Sequence, residues 1–183
     1  MGDAADPTGQ VALAIAREAV ERFVRTGLIA ESPPDLPPEL RQARGVFVTL
    51  RARGRLRGCV GTLAPARPDT AREIIACGIA AAGCDPRFLP VCLAELPDLE
   101  YEVDLVGDLE LARGLPDLDP KTYGVVVEGG GQRGVLLPDI EGVEDAERQV
   151  RIARAKAGLP LEAPVTLYRF PVRRFREAPQ EPR

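Results

Sequence analysis

The stretch that decides the fold is Gly45–Gly61, with the sequence GVFVTLRARGRLRGCVG. Its first part is rich in β-branched and apolar residues, which favour a strand. Arg53-Gly54 then indicates a two-residue turn, after which the chain returns as a second strand. The stretch therefore predicts a β-hairpin, and a turn of this length would pair Cys59 with Val48.

Apolar residues recur at helical spacing on both sides of this hairpin. The predicted helices cover about residues 7–26, 70–83 and 143–157. Asp6-Pro7 has the sequence of a helix start, and Gly27 indicates the end of the first helix. Residues 70–73 have the sequence TARE, a capping box that opens the second helix.

Further strands follow the second helix. Leu99–Leu105 alternates apolar and acidic residues, which is the pattern of a half-buried strand. Two short strands are predicted on either side of residues 129–131, and a last strand over Val165–Val172. Helices and strands thus follow one another in an irregular order, which favours an α+β fold over a regular βαβ series.

Residues 129–134, GGGQRG, fit the dinucleotide-binding pattern GxGxxG. That pattern binds a nucleotide only where it opens a helix. Here the strand-like sequence VLLP follows. The glycines therefore indicate a hairpin turn, and nucleotide binding is not expected.

The composition limits the functions that the chain can have. The chain has 183 residues, a net charge of −4 and 4% aromatic residues, which disfavours nucleic-acid binding. It contains four cysteines but no histidine, so neither a Cys/His zinc site nor a catalytic pair that needs histidine is expected. Since the sequence has no long apolar run and no basic N-terminal segment, it predicts a cytoplasmic protein without a membrane span, metal, cofactor or disulfide.

Leu56–Leu63, with the sequence LRGCVGTL, closely resembles the signature of the AMMECR-type domain family. Three further parts of the chain agree with the family in order and approximate spacing. They are Gly45–Leu50 before the signature, Asp85–Phe88 with the sequence DPRF, and the C-terminal landmarks at 136–138 and 156–159. Four matches in order make the resemblance specific.

The resemblance implies an α+β fold with a mixed or antiparallel sheet and a smaller subdomain across a cleft. It implies a single domain over residues 7–175, and the charged, proline-containing residues 176–183 are expected to form a disordered tail. It also implies an association with Memo-type and radical-SAM proteins. The family has no settled activity, so the resemblance implies a fold and partners but no reaction.

Cys59 is the sharpest candidate for a catalytic residue. Alternate residues of a strand share a face, so Arg57 would lie about 7 Å away and could lower the pKa of the thiol. The alternative is a small buried side chain in a tightly packed hairpin. The expected apolar neighbour, Val48, favours that alternative.

Asp85 and Arg87 flank Pro86 in a predicted turn. Arg87 could bind a carboxylate or phosphate with two nitrogens of its guanidinium, which would make the turn a substrate-binding corner. Alternatively, Asp85 caps the turn and Arg87 bridges two parts of the fold. We expect Arg57, Cys59, Asp85 and Arg87 to lie around one cleft, where a small anionic ligand would bind.

Glu100, Glu102 and Asp104 occupy one face of the predicted strand. Three carboxylates could hold Mg²⁺ or Ca²⁺. However, the alternation of apolar and polar residues is the ordinary pattern of a strand with one face in water. A solvated face is therefore the favoured interpretation.

Two functions remain open from the sequence. The first is a binding or partner module for Memo-type and radical-SAM proteins, with a rigid surface around the four residues of the predicted cleft. The second is a cysteine-dependent enzyme that acts on a small anionic substrate through Cys59. Without histidine, a carboxylate such as Glu102 would have to accept the thiol proton, which weakens the second function.

Overall fold

The computed structural model describes residues 6–178. The chain divides into two compact units of unequal size. Of the described residues, the first unit comprises 6–106 together with 173–178, and the second is Gly107–Val172. Each unit has a hydrophobic core of its own.

The first unit consists of helices packed on one face of a sheet. Its elements are α1 (Pro7–Thr26), α2 (Pro38–Arg41), β1 (Val46–Ala52), β2 (Arg55–Gly61), α3 (Thr70–Gly83), a 3-10 helix (Leu93–Asp98) and β3 (Leu99–Val106). Strand β1 lies between β2 and β3 and is antiparallel to both. The core includes Leu50, Tyr101 and Val103, which are fully buried.

Helix α1 begins and ends where the sequence predicts. The carboxylate of Asp6 accepts the backbone N–H of Thr8 at 2.8 Å, and Pro7 occupies the first turn, where a missing N–H costs no hydrogen bond. Gly27 ends the helix with a φ of 73°, a conformation that glycine adopts without strain. The buried side of α1 carries mainly small side chains, which allow close packing.

Helix α3 has the predicted range, but its cap differs from the prediction. Asp69 rather than Thr70 caps the helix, since its carboxylate accepts the backbone N–H of Arg72 at 2.8 Å. The buried carboxylate of Glu73 accepts three hydrogen bonds from the loop at residues 62–67. The predicted capping box is therefore wrong, because Glu73 holds the preceding loop and not the start of the helix.

The predicted hairpin is confirmed, but the register predicted for its two strands is wrong. Strands β1 and β2 are joined by the expected two-residue turn, yet Cys59 pairs with Thr49 and not with Val48. The register shifts because Arg57 is an extra residue without a partner on β1, which makes it a β-bulge. The neighbour of Cys59 is therefore a hydroxyl and not an apolar side chain.

The second unit is also built from antiparallel strands and a helix. Its elements are β4 (Glu110–Ala112), a 3-10 helix (Leu115–Asp117), β5 (Tyr123–Gly129), β6 (Gln132–Leu136), α4 (Ala146–Lys156) and β7 (Thr166–Arg176). Strand β5 lies between β6 and β7, and β4 pairs with β7. Gly130 and Gly131 turn between β5 and β6 with φ values of 55° and 76°. The glycine-rich run is therefore a hairpin turn, as predicted.

Strand β7 starts in the second unit, and its last residues belong to the first. There it lies beside β3. Glu177, directly after the strand, accepts hydrogen bonds from Arg17 and from the backbone N–H of Tyr101. The predicted disordered tail is therefore wrong for residues 176–177, and residues 179–183 lie outside the described residues.

The fold class is α+β, as predicted. Helices and strands follow in an irregular order, and the strand pairings given above are antiparallel. Within residues 6–178, no helix is long and apolar enough to cross a membrane.

Candidate functional site

Asp85 attaches the proline turn to the edge of strand β2. Its Oδ2 accepts the backbone N–H of Cys59 at 2.9 Å, and its Oδ1 accepts the backbone N–H of Arg87 at 3.1 Å. Pro86 disfavours a helical conformation at Asp85, so α3 ends before the turn. The turn therefore lies against β2, with the Asp85 side chain buried between them.

Arg87 forms a bidentate ion pair with Asp85. Its Nε and Nη2 donate to the two carboxylate oxygens at 2.9 and 2.6 Å, and Nη2 also approaches the carbonyl oxygen of Cys59 at 3.4 Å. The hydrogen bond from Arg87 holds the pKa of Asp85 well below its usual range. The charge of Arg87 is therefore already neutralised within the turn.

Arg57 is also paired with a carboxylate. Its Nε and Nη2 donate to Glu95 at 2.6 and 3.0 Å, and Nη2 donates to the carbonyl oxygen of Leu89 at 3.0 Å. The hydrogen bond from Arg57 lowers the pKa of Glu95 to about 2. Arg57 therefore joins strand β2 to the segment that follows the proline turn.

Phe88 brings the two arginines together. The guanidinium carbons of Arg57 and Arg87 lie 5.8 and 5.6 Å from the centre of its ring, within the range of cation–π contacts. The two arginines and Phe88 form one cluster with Cys59 and Asp85 within the first unit. The structure thus brings the four predicted residues together, while their roles toward a substrate stay predictions.

The thiol of Cys59 is half-buried and faces Thr49. The hydroxyl oxygen of Thr49 lies 3.2 Å from the Cys59 sulfur, as expected for residues directly opposite each other on two strands. Burial raises the pKa of the Cys59 thiol above its ordinary value, against smaller opposing effects of Thr49 and Arg87. Arg57, which from the sequence could have lowered this pKa, instead pairs through its guanidinium with Glu95.

A second group of charges lies on the face of the sheet opposite the helices. It consists of Arg51, Glu102, Asp104, Arg174 and Arg176, which we call the ionic cluster. Asp104 accepts hydrogen bonds from Arg174 at 2.7 and 3.0 Å, and Glu102 accepts one from Arg176 at 2.5 Å. Since Glu102 and Asp104 are only 4% and 0% exposed, the predicted solvated face is wrong.

The sequence contained one signal for the ionic cluster. Arg174 and Arg176 alternate along the chain just as Glu102 and Asp104 do, and opposite charges on adjacent strands form cross-strand pairs. This signal was missed because the last strand was expected to end at Val172. The last strand continues beyond Val172 beside β3, and the sequence of neither strand by itself predicts this pairing.

Arginines engage the carboxylates of Glu102 and Asp104 on β3. Among residues 6–178, no group of three or more Cys, Asp or Glu side chains is arranged to hold a metal ion. Glu102 and Asp104 are instead neutralised by arginines, which occupy the oxygens that a cation would need.

Two exposed leucines accompany the arginine pair. Leu89 follows Phe88 and is 84% exposed, and Leu93 starts the 3-10 helix that carries Glu95 and is 57% exposed. We call Arg57, Arg87, Phe88, Leu89 and Leu93 the signature surface. Arginine and aromatic side chains beside apolar ones are typical of the centre of a protein interface.

Comparison with known proteins shows relatives over nearly the whole chain. The AMMECR1 family model matches residues 13–175. A protein of Thermotoga maritima is 48% identical over 160 residues, which are 86% of this chain and 92% of that protein. A longer protein of Clostridium acetobutylicum is 42% identical over 166 residues, which are 90% of this chain but 35% of that protein.

The fold is similar to that of a protein of known structure. The crystal structure of an uncharacterised protein from Pyrococcus horikoshii superposes with a TM-score of 0.87 and 36% sequence identity. The match covers 97% of this chain and 95% of that one. Because that protein is described as uncharacterised, the likeness extends to the fold and not to a reaction.

Proposed function

The chain belongs to the AMMECR1 family, and we propose that it is a binding module that acts with Memo-type and radical-SAM proteins through the signature surface. The observation that carries the proposal is the exposure of Leu89, 84%, directly beside two arginines that are each already paired with a carboxylate. An apolar side chain held in water costs free energy that a partner would recover by covering it.

The signature surface is held in a fixed arrangement by its own hydrogen bonds. Glu95 holds Arg57, Asp85 holds Arg87, and both arginines lie against Phe88. A rigid surface loses little conformational entropy when a partner binds, which favours affinity. The geometry therefore suits recognition of a partner better than a chemical step.

A partner of this surface needs apolar groups at its centre and hydrogen-bond acceptors at its margin. Leu89 and Leu93 would be covered by apolar side chains, while the exposed nitrogens of Arg87 would meet carbonyl or carboxylate oxygens. Because Asp85 already neutralises Arg87, most of the binding free energy would come from the burial of Leu89 and Leu93 by the partner.

The alternative is a cysteine-dependent enzyme that acts on a small anionic substrate through Cys59. The geometry gives it no support, since burial raises the pKa of the thiol and the sequence contains no histidine to accept its proton. The nearest hydroxyl, that of Thr49, is not a base at neutral pH. A binding role requires neither a thiolate at Cys59 nor a base that accepts its proton.

Two finer parts of the proposal come from the sequence and from the family resemblance. A cytoplasmic location, which the sequence predicts, would keep Cys59, Cys77, Cys84 and Cys92 reduced. A cleft lined by Arg57, Cys59, Asp85 and Arg87 stays a prediction.

Calorimetric titration tests the partner and the surface together. The purified chain would be titrated with the Memo-type protein and, anaerobically, with the radical-SAM protein encoded in the same genome. We expect the Leu89→Glu variant to bind about tenfold more weakly or worse, because a buried carboxylate without a partner costs at least 1.4 kcal/mol, roughly.

Leu161→Glu is the matched control, because Leu161 is 62% exposed and belongs to the second unit. It should bind like the unaltered chain. Absence of binding to both proteins would contradict the proposed partners, and equal binding by the two variants would contradict the proposed surface.

A further inference from the structure

We propose that a hollow on the first unit, between helix α1 and the loop that follows it, binds a basic amphipathic helix of a partner protein. The hollow has a volume of about 350 Å³. Its margin carries Glu18 of α1 and Glu31 and Asp35 of the loop, and we call it the acidic hollow. None of these residues belongs to the signature surface, so this inference and the proposed function can fail independently.

Apolar side chains form the floor of the acidic hollow. Ile15, Ala30 and Ile75 line it and are only 4%, 7% and 5% exposed. Glu18 lies one helical turn after Ala14 and Ile15, so these three side chains share one side of α1. Ala14 is exposed, and its short side chain leaves room for a second helix to approach closely. An apolar face of a partner would therefore be buried here.

The three carboxylates at the margin have no partner within the protein. Among residues 6–178, the side chains of Glu18, Glu31 and Asp35 form no ion pair and accept no hydrogen bond. Other carboxylates at the surface of the first unit, such as Glu39 and Asp98, pair with arginines. The acidic hollow thus presents negative charge that is left for a cationic partner.

The arginines of α1 do not neutralise the acidic hollow. Arg17 and Arg25 both pair with Glu21. Arg22 lies one turn after Glu18, but within the described part of the chain the two side chains form no ion pair. Unpaired like charges repel one another, and lysine or arginine side chains of a partner would relieve that repulsion.

A second hollow, of about 750 Å³, adjoins the acidic hollow, since Ile75 lines both. Ile29 lines the second hollow and is 68% exposed. Its basic residues are Arg67 and Arg72, of which Arg72 is paired with Asp69. Apolar residues of a partner can therefore continue into the second hollow, whereas its basic residues have to lie over the acidic hollow, away from Arg67.

An amphipathic helix suits two adjoining hollows. Its apolar residues recur about every three to four positions on one face, so successive turns reach successive hollows. Basic residues beside this face would meet the three carboxylates. The net charge of the chain, −4, also attracts a basic partner from a distance.

A model helix tests this surface by fluorescence anisotropy. The probe is a labelled peptide of leucine, alanine and lysine in which leucine recurs about every three to four positions. The comparison peptide has the same composition, but its leucines are spread around the helix. We expect saturable binding of the first peptide, about tenfold tighter than that of the second, and weaker binding as sodium chloride is added. Equal affinities, or no saturable binding, would overturn the proposal.

Ala14→Arg should weaken binding of the first peptide about tenfold or more, because a long cationic side chain would occupy the acidic hollow. Ala155→Arg is the matched control, since Ala155 is an exposed helical residue of the second unit, and it should bind like the unaltered chain. Glu18→Gln should weaken binding about threefold, with Glu147→Gln on α4 as its control, and decides where Ala14→Arg does not fold. Unchanged affinity in the folded variants of Ala14 and Glu18 would overturn the proposal.

Two further measurements identify what occupies the acidic hollow. Sedimentation equilibrium of the chain by itself should show the same oligomeric state for Ala14→Arg and the unaltered chain. An oligomer that Ala14→Arg dissociates would assign the acidic hollow to a second copy and overturn the proposal. Leu89→Glu should bind the peptide like the unaltered chain, and a loss in that variant would place the peptide on the signature surface instead.

Discussion

The carboxylate of Asp85 accepts the backbone N–H of Cys59 at 2.9 Å, across 26 positions of the sequence. Cys59 lies on β2, at one end of the strand order, where backbone groups would otherwise have no strand to pair with. Arg87, held by the same carboxylate, approaches the carbonyl oxygen of Cys59. The proline turn thus supplies both hydrogen bonds that a neighbouring strand would give.

Replacing Asp85 should therefore destabilise the protein. In Asp85→Ala the backbone N–H of Cys59 and the guanidinium of Arg87 both lose their acceptor, and the site is buried. We expect the free energy of unfolding to fall by about 2 kcal/mol, the usual effect of leaving a buried donor unpaired. Urea unfolding followed by circular dichroism measures it.

Asp98→Ala is the control for the loss of one acidic side chain. Asp98 pairs with Arg53 on the surface, where both side chains are largely exposed, and its removal should change stability by less than about 0.5 kcal/mol. If Asp85→Ala has an effect as small as that of Asp98→Ala, the edge-capping role of Asp85 is refuted.

The paired carboxyl groups predict a loss of stability in acid. Arg57 lowers the pKa of Glu95 to about 2, and Arg87 lowers that of Asp85 further below its unfolded value of about 4. A carboxyl group whose pKa is lower in the folded than in the unfolded state stabilises the folded protein above about pH 4.5. This stabilisation is lost as the pH falls through the folded pKa. Urea midpoints should therefore decrease between about pH 5 and pH 3, where the unfolded chain takes up protons that the folded protein does not.

Glu95→Gln isolates one of these contributions. Glutamine has no titrating group, so the variant should be less stable than the unaltered protein near neutral pH. It should also lose less stability between about pH 5 and pH 3, where carboxyl groups titrate. The pKa of Asp104 is raised by burial and acts in the opposite direction, but it is common to both proteins. Identical pH dependence of the two would show that the Arg57–Glu95 pair does not contribute.

The four thiols should react in an order set by exposure. Cys84 and Cys92 are exposed, Cys59 is half-buried with a raised pKa, and Cys77 is buried with its pKa raised to about 12. Since the thiolate is the reactive form, iodoacetamide at neutral pH should modify Cys84 and Cys92 first. Peptide mapping by mass spectrometry follows each site, and modification of Cys59 before Cys84 would support the enzyme alternative instead.

Local sequence signals were sufficient for most helices and strands. Asp6 and Gly27 fix the ends of α1 through hydrogen bonds and backbone conformations that depend only on nearby residues. The alternation in β3 likewise predicted a strand, because the period of two is a local property. These elements needed no information about their neighbours.

The candidate site depended on contacts between distant parts of the chain. Glu95 pairs with Arg57 across 38 positions, and Asp104 pairs with Arg174 across 70. Neither pairing follows from periodicity, since many arginines were available to each carboxylate. The bulge at Arg57 was missed for the same reason, because its effect on the register of Cys59 is visible only in the paired strands.

Gly58 allows β2 to lie directly against helix α3, and this contact predicts opposite effects for two Gly→Ala variants. A Cβ at Gly58 would overlap the backbone carbonyl oxygen of Ala81, and backbone atoms cannot rotate aside as a side chain can. Gly58→Ala should therefore separate the strand from the helix and lower the free energy of unfolding by about 2–3 kcal/mol. At Gly83, the last residue of α3, a Cβ would meet only the ring of Phe23 at an ordinary 3.6 Å. Gly83→Ala should be neutral or stabilising by up to about 1 kcal/mol, since alanine favours a helix. Urea unfolding of both variants measures the difference, and a similar loss in both would mean that the contact of Gly58 with Ala81 is not what limits this position.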